Sequence, residues 1–159
     1  MPNTSADSLL TNVWKDRDFP VDPVWIARQL GLDVIEAELK TNISGALIKE
    51  EGKDPVIILN EADSRQRKRF TCAHELGHYI KRTENGEEPD YNFIDYRNSL
   101  SAKGTDKEEI FANQFAANLL MPREEVENLR TEGVPPVLMA AHFDVSDDAI
   151  RFRLTNLNL

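Results

Sequence analysis

Apolar positions along the chain follow two rhythms, and the places where the rhythm changes mark the elements. Residues 5–15 carry Leu9, Leu10, Val13 and Trp14 at helical spacing. In "FPVDPVWIARQLGL" a second helix is predicted. Asp22 can cap it, Pro23 suits its first turn, Val24, Ile26, Ala27 and Leu30 supply the periodicity, and Gly31 stops it. The rhythm then shortens to two. "LDVIEAEL" (32–39) alternates as a strand, and "SGALIKEEGKDPVIILN" reads as strands at about 45–50 and 55–59 around a turn with Gly52. "VIIL" is apolar on both faces and is expected in the sheet interior.

Helical spacing returns over 64–82. Residues 83–105 are polar apart from "YNFIDY", a possible edge strand. A further helix spans 105–120 and ends at Pro122, and "PREEVENLR" starts another with proline in its first turn. "PPVLMAAHFDVSDDAIRFRLTNL" closes the chain as two short helices around "FDVS", with Ser146 as N-cap. A small antiparallel or mixed sheet embedded among helices is an α+β arrangement. The expected organisation is one unit over residues 1–122 with a helical subdomain, 123–159, packed on it.

With 159 residues, the chain fits one domain with at most a small appendage. No apolar run approaches the roughly 20 residues of a membrane span, and "MPNTSADSLL" lacks the basic and apolar regions of a secretory signal. Cys72 is the sole cysteine, so no internal disulfide forms and a cytoplasmic setting is expected. A net charge of −9 disfavours nucleic acid as a partner. The one basic cluster, "RQRKR" (65–69), is expected to be a solvated helix face.

Chemistry concentrates in "TCAHELGHYI" (71–80). Two histidines at i and i+4, His74 and His78, lie one above the other on a helix and can take two corners of a tetrahedral zinc site. Glu75, between them, can act as general base on a water activated by the metal and pass the proton to the leaving amine. Chance yields this pattern from the same composition in roughly one scrambled sequence in 200, so spacing alone does not settle it. The bland alternative is two histidines hydrogen-bonded for packing. On a helical wheel, His78 falls about 40° from His74, at one edge of the apolar arc formed by Phe70, Ala73, Leu76, Gly77 and Ile80. The pair is therefore expected half in and half out of the core. Cys72, on the far side of the wheel, reads as a core thiol.

Catalytic zinc needs a third protein ligand. The extended HExxHxxGxxH pattern is excluded, because Lys81 and Glu84 stand where glycine and histidine are required. His142, in the tail, reads as a surface or interhelix residue. Glu108 is accounted for by a capping box with Thr105. Glu109 lies on the rim of an apolar face made by Ala112, Phe115, Ala116 and Leu119 and is the better candidate, although a first-turn carboxylate also suits a helix dipole. Asn113, one turn on, could support Glu109 or a ligand histidine. For the oxyanion, Tyr91, Tyr96, Arg97 and His142 all remain open.

Four stretches together resemble the ImmA/IrrE family of zinc metallopeptidases: "FPVDPVWIARQLGLDV", "RKRFTCAHELGHYI", "EEIFANQFAANLLMP" and "MAAHFDVSDDAIRFRLTNLNL". The resemblance implies a zincin-like core of gluzincin type with a helix-turn-helix-like tail. It implies that His74, His78 and Glu109 are zinc ligands and that Glu75 is the base. Family members often carry a second acidic residue two positions after the ligand glutamate; here Phe111 stands there and removes a competitor for the metal. The implied substrate is a helix-turn-helix repressor of mobile-element or stress-response genes. An additional sensory domain, found in some members, is not expected in a chain of this length.

Two other readings compete. In one, "AAHFDVSDDAIRFRL" is a DNA- or protein-binding helix-turn-helix, but Asp144, Asp147 and Asp148 crowd the positions that phosphates would approach. In the other, the zinc site has lost activity, against which only the retained Glu75 argues. For the protease reading, "GALIKEE" (45–51) is the expected edge strand, with Leu47 and Ile48 holding an extended substrate and Lys49, Glu50 and Glu51 guarding the edge.

Overall fold

The run "VIIL" ends up where its two apolar faces require, inside a four-stranded sheet. The computed structural model describes residues 4–84, 86, 89–97 and 107–159. Strands β1 (Asp33–Ala37), β2 (Ile43–Lys49), β3 (Val56–Asn60) and β4 (Tyr91–Tyr96) are arranged in the order β1-β3-β2-β4. β1 runs parallel to β3, while β2 is antiparallel to both β3 and β4. The chain is thus α+β with a mixed sheet.

This topology corrects the expected substrate edge. β2 is an interior strand, and Leu47 is 0% exposed, paired with Ile57 on one side and Phe93 on the other. Leu47 and Ile48 therefore have no main-chain edge to offer a peptide. Among the described residues the free edges belong to β1 and β4, so "YNFIDY" is the edge strand that its sequence suggests.

Helix α1 (Thr4–Leu9) passes directly into a π-helical turn at Leu10–Trp14, so the first predicted helix is present but not uniformly α. α2 (Pro23–Gln29) begins as read: the Asp22 carboxylate accepts hydrogen bonds from Val24 N (3.0 Å) and Trp25 N (3.1 Å). α3 (Arg65–Glu84) lies across the sheet and against α4 (Lys107–Leu120). The Thr105–Glu108 capping box falls outside the described residues on the threonine side; Glu108 itself pairs with Arg82 at 3.2 Å.

The tail comprises α5 (Arg123–Thr131), α6 (Pro136–Phe143) and α7 (Asp147–Asn156), with Ser146 Oγ accepting from Ala149 N at 3.1 Å as the expected cap. Val126, Met139, Phe143, Ile150 and Leu154 join the same buried cluster as Ile57, Leu76 and Phe115, so the tail packs on the core. Arg153 locks it there, donating to the Met121 carbonyl (3.0 Å) and Asn118 Oδ1 (2.9 Å). The basic cluster is not merely a solvated face. Arg65 and Gln66 bind the Asp144 carboxylate, Arg69 donates to the Phe143 and Asp144 carbonyls, and Lys68 pairs with Glu36.

Candidate metal centre

Two glycines let α3 sit close to its neighbours. A Cβ on Gly45 of β2 would stand 2.6 Å from the Ile58 carbonyl oxygen and 2.7 Å from Thr71 Cγ2, and one on Gly77 would stand 3.0 Å from Ala112 Cα and 3.2 Å from Phe115 Cβ. Side chains there would lift α3 from the sheet or from α4. Because of this close approach, the outward turn of α3 is covered as well. His74, Glu75 and His78 are 3%, 0% and 1% exposed, so the pair is not half in and half out as the helical wheel suggests. The wheel measures one helix only; Phe93 of β4 stacks on the His78 ring at 4.1 Å and 11°, and α4 closes the other side.

The two imidazoles lie 4.9 Å apart and nearly perpendicular, and their Nε2 atoms converge on one carboxylate. His74 Nε2 is 2.9 Å from one Glu109 oxygen and His78 Nε2 is 3.0 Å from the other. Both nitrogens are sealed from solvent, and the Glu109 carboxylate is the group that each of them meets. Two imidazole nitrogens and one carboxylate drawn into a single buried cluster are the arrangement that a shared cation requires. Two nitrogens and a carboxylate are a donor set suited to zinc. His74, His78 and Glu109 thus form a candidate metal-ligand group, assembled from an i, i+4 pair on α3 and the first turn of α4.

Burial alone would raise the Glu109 carboxyl, but contact with His74 and His78 holds it down at about 2. Glu75 behaves oppositely. Its burial, reinforced by the negative charges of Asp95 and Glu109, pushes its carboxyl well above the usual range. Neither Glu75 oxygen has a hydrogen-bond partner among the described residues.

The pattern reading missed Asp95, which brings a carboxylate oxygen close to donor atoms of His74 and Glu75. Its signal was available. The period of β4 turns Tyr91, Phe93 and Asp95 inward, half-buried, and leaves Asn92, Ile94 and Tyr96 exposed. An acidic residue alternating inward with aromatics is out of place in a core. Burial raises the Asp95 carboxyl, while His74 and Arg67 partly offset the rise.

Other candidates fall elsewhere. Asn113 lines a cleft beside the site but makes no side-chain hydrogen bond to Glu109 or a histidine among the described residues. His142 pairs with Glu125 at 2.8 Å, between α6 and α5, as an interhelix histidine would. Arg97 is held by Asp63 (2.7 Å) and the Thr41 carbonyl (2.9 Å), Tyr96 lies on the outward face of β4, and Tyr91 sits under Arg82. Cys72 is free and fully buried, and burial pushes its thiol upward, as a core residue. Phe111 stacks on Phe115 and carries Lys81 over its ring at 5.1 Å.

The close helix pair yields a prediction. Gly77→Ala should cost about 1–3 kcal/mol by overpacking α3 against α4. Because α4 carries Glu109, the same change should weaken zinc binding. Denaturant unfolding of the metal-free protein and a zinc-competition titration would separate the two effects; unchanged stability would show that the contact is not tight.

The solved structure of a Mycobacterium tuberculosis transcriptional regulator matches 97% of this chain with a TM-score of 0.63 and 15% identity. The match takes in 47% of that protein, so the chain spans about half its length. At this identity the likeness concerns the fold alone. No curated protein matches the sequence. Among family models, that of Peptidase M78, the IrrE N-terminal-like domain, matches residues 27–155, from α2 through the candidate metal-ligand group to α7. With most of its length matched, the chain belongs to the IrrE N-terminal-like family of peptidases, the family its signatures resemble.

Proposed function

We propose that this chain is a zinc-dependent endopeptidase that cuts a helix-turn-helix repressor and so relieves repression of mobile-element or stress-response genes. One observation carries the reading: two buried imidazole nitrogens and a carboxylate converge from separate helices, with a second buried carboxylate, Glu75, beside them. His74 and His78 would hold zinc through Nε2 and Glu109 through its carboxylate. When bound, zinc supplies Lewis-acid activation of a water and of the scissile carbonyl.

The remaining work falls to the chain. Glu75 takes the proton at a carboxylate oxygen and delivers it to the leaving amine. Phe93, stacked on His78, fixes that ring and keeps bulk water from its face. The outer edge of β4, unpaired with any other strand among the described residues, offers main-chain groups to an extended peptide, taking over the role expected of residues 45–51. A scissile segment must leave any helix to lie there, so cleavage should favour a linker or a locally unfolded stretch. The test is to incubate zinc-loaded protein with a helix-turn-helix repressor from the same organism and map the products by mass spectrometry. One zinc-dependent cut in the repressor supports the reading; an intact repressor, with zinc bound, defeats the choice of substrate.

A further inference from the structure

Four of the five side chains in "RQRKR" are engaged by carboxylates or carbonyls, as described above; the fifth, Arg67, is not. Its one side-chain hydrogen bond runs from a terminal nitrogen to the Ser44 hydroxyl at 2.9 Å. Its Nε is buried and has no partner among the described residues. Asp95 feels the Arg67 charge, but no carboxylate among the described residues forms an ion pair with the guanidinium. A guanidinium presents a planar fork of donors matched to a carboxylate, and leaving part of that fork buried and unpaired is costly.

Its place in the fold is as specific. Ser44 is the extra residue of a β-bulge: Ile43 pairs with Tyr96 and Gly45 with Asp95, which leaves Ser44 unpaired on β2, buried and turned to Arg67. Bulges commonly re-aim a side chain next to a functional site. Arg67 and His74 both line the cleft of about 1610 Å³ that opens beside Asp95. They are seven residues apart on α3, hence on the same face and about 10 Å apart along the axis.

We infer that Arg67 is a specificity-determining residue that binds an acidic side chain of the peptide, about three residues before the scissile bond. This rests on the peptidase reading and on a substrate strand paired antiparallel to β4. Tyr91 lies by Arg82, Phe93 by His78 and Asp95 by His74, so β4 runs antiparallel to α3. A peptide antiparallel to β4 therefore runs with α3, its amino-terminal side toward Arg67. At about 3.4 Å per residue, 10 Å corresponds to three residues. The ligand is an aspartate or glutamate side chain; a terminal carboxylate would call for the opposite direction.

The experiment profiles cleavage of a mixed peptide library, with free and amidated carboxyl termini, by wild-type, Arg67→Gln and Arg67→Lys proteins. The expected result is enrichment of Asp and Glu about three residues before the cut in the wild type, with a roughly 10-fold preference for Glu over Gln in kcat/KM. Arg67→Gln should lose that preference and Arg67→Lys keep part of it. No acidic enrichment, enrichment unaltered in Arg67→Gln, or a preference that follows the free carboxyl terminus would overturn the inference. A second readout needs no turnover: the Arg67 Nε–H resonance should shift saturably on titration with an acetylated, amidated Glu-containing tetrapeptide and not with its Gln counterpart. A shift in a protein that cuts nothing would place the failure in the peptidase reading, whereas no shift would sink the inference.

Discussion

Glu75→Gln should hold zinc and fold normally, yet cleave no peptide. The substitution keeps the shape of a side chain that is 0% exposed and removes only the capacity to accept and return a proton. A positioned general base contributes about 10²–10⁴-fold in rate, and one that also orients the attacking water contributes toward the upper end. The variant should bind zinc about as tightly as the wild type, because Glu75 is not among the three converging donors. Zinc content, thermal melting and repressor cleavage, measured on one preparation, check the three parts. Undiminished cleavage would remove Glu75 from the mechanism; lost zinc would place its carboxylate among the ligands.

Glu109→Gln should weaken zinc binding by more than the roughly 10–100-fold that loss of an outer supporting hydrogen bond typically costs. The carboxylate meets both Nε2 atoms at 2.9 and 3.0 Å, and an amide cannot supply its negative charge. Glu108→Gln is the control. That carboxylate pairs with Arg82 at 3.2 Å, and its loss should leave zinc affinity nearly unaltered. Competition with a chromophoric chelator gives both affinities. If Glu108→Gln is the variant that loses zinc, the ligand assignment is wrong by one position.

The features legible in the sequence are those written in local geometry. Asp22, Pro23 and Gly31 bound α2 because capping and a positive φ (92° at Gly31) are properties of single positions. The histidine pair was legible because i, i+4 spacing fixes which face a helix presents. Strand neighbours are not local. Nothing within "GALIKEE" states that β4, which follows α3 in the chain, will cover it, so an interior strand read as an edge. Its charges have other work: Lys49 donates to the Glu50 and Lys53 carbonyls and Lys53 pairs with Glu50, which closes the hairpin turn. The histidines looked half-exposed for the same reason, since Phe93 and α4 arrive from elsewhere in the chain. Asp95 and Arg67 escaped notice differently. Each sits in a pattern that was recognised, an alternating strand and a basic cluster, but its distinct role appears only when its partners are known.

The most direct test of the account is anomalous diffraction at the zinc absorption edge from crystals of zinc-loaded protein. The account expects one strong peak per chain, within bonding distance of His74 Nε2, His78 Nε2 and the Glu109 carboxylate. The absence of a peak there, or a peak held by other residues while these three remain in mutual contact, would contradict it.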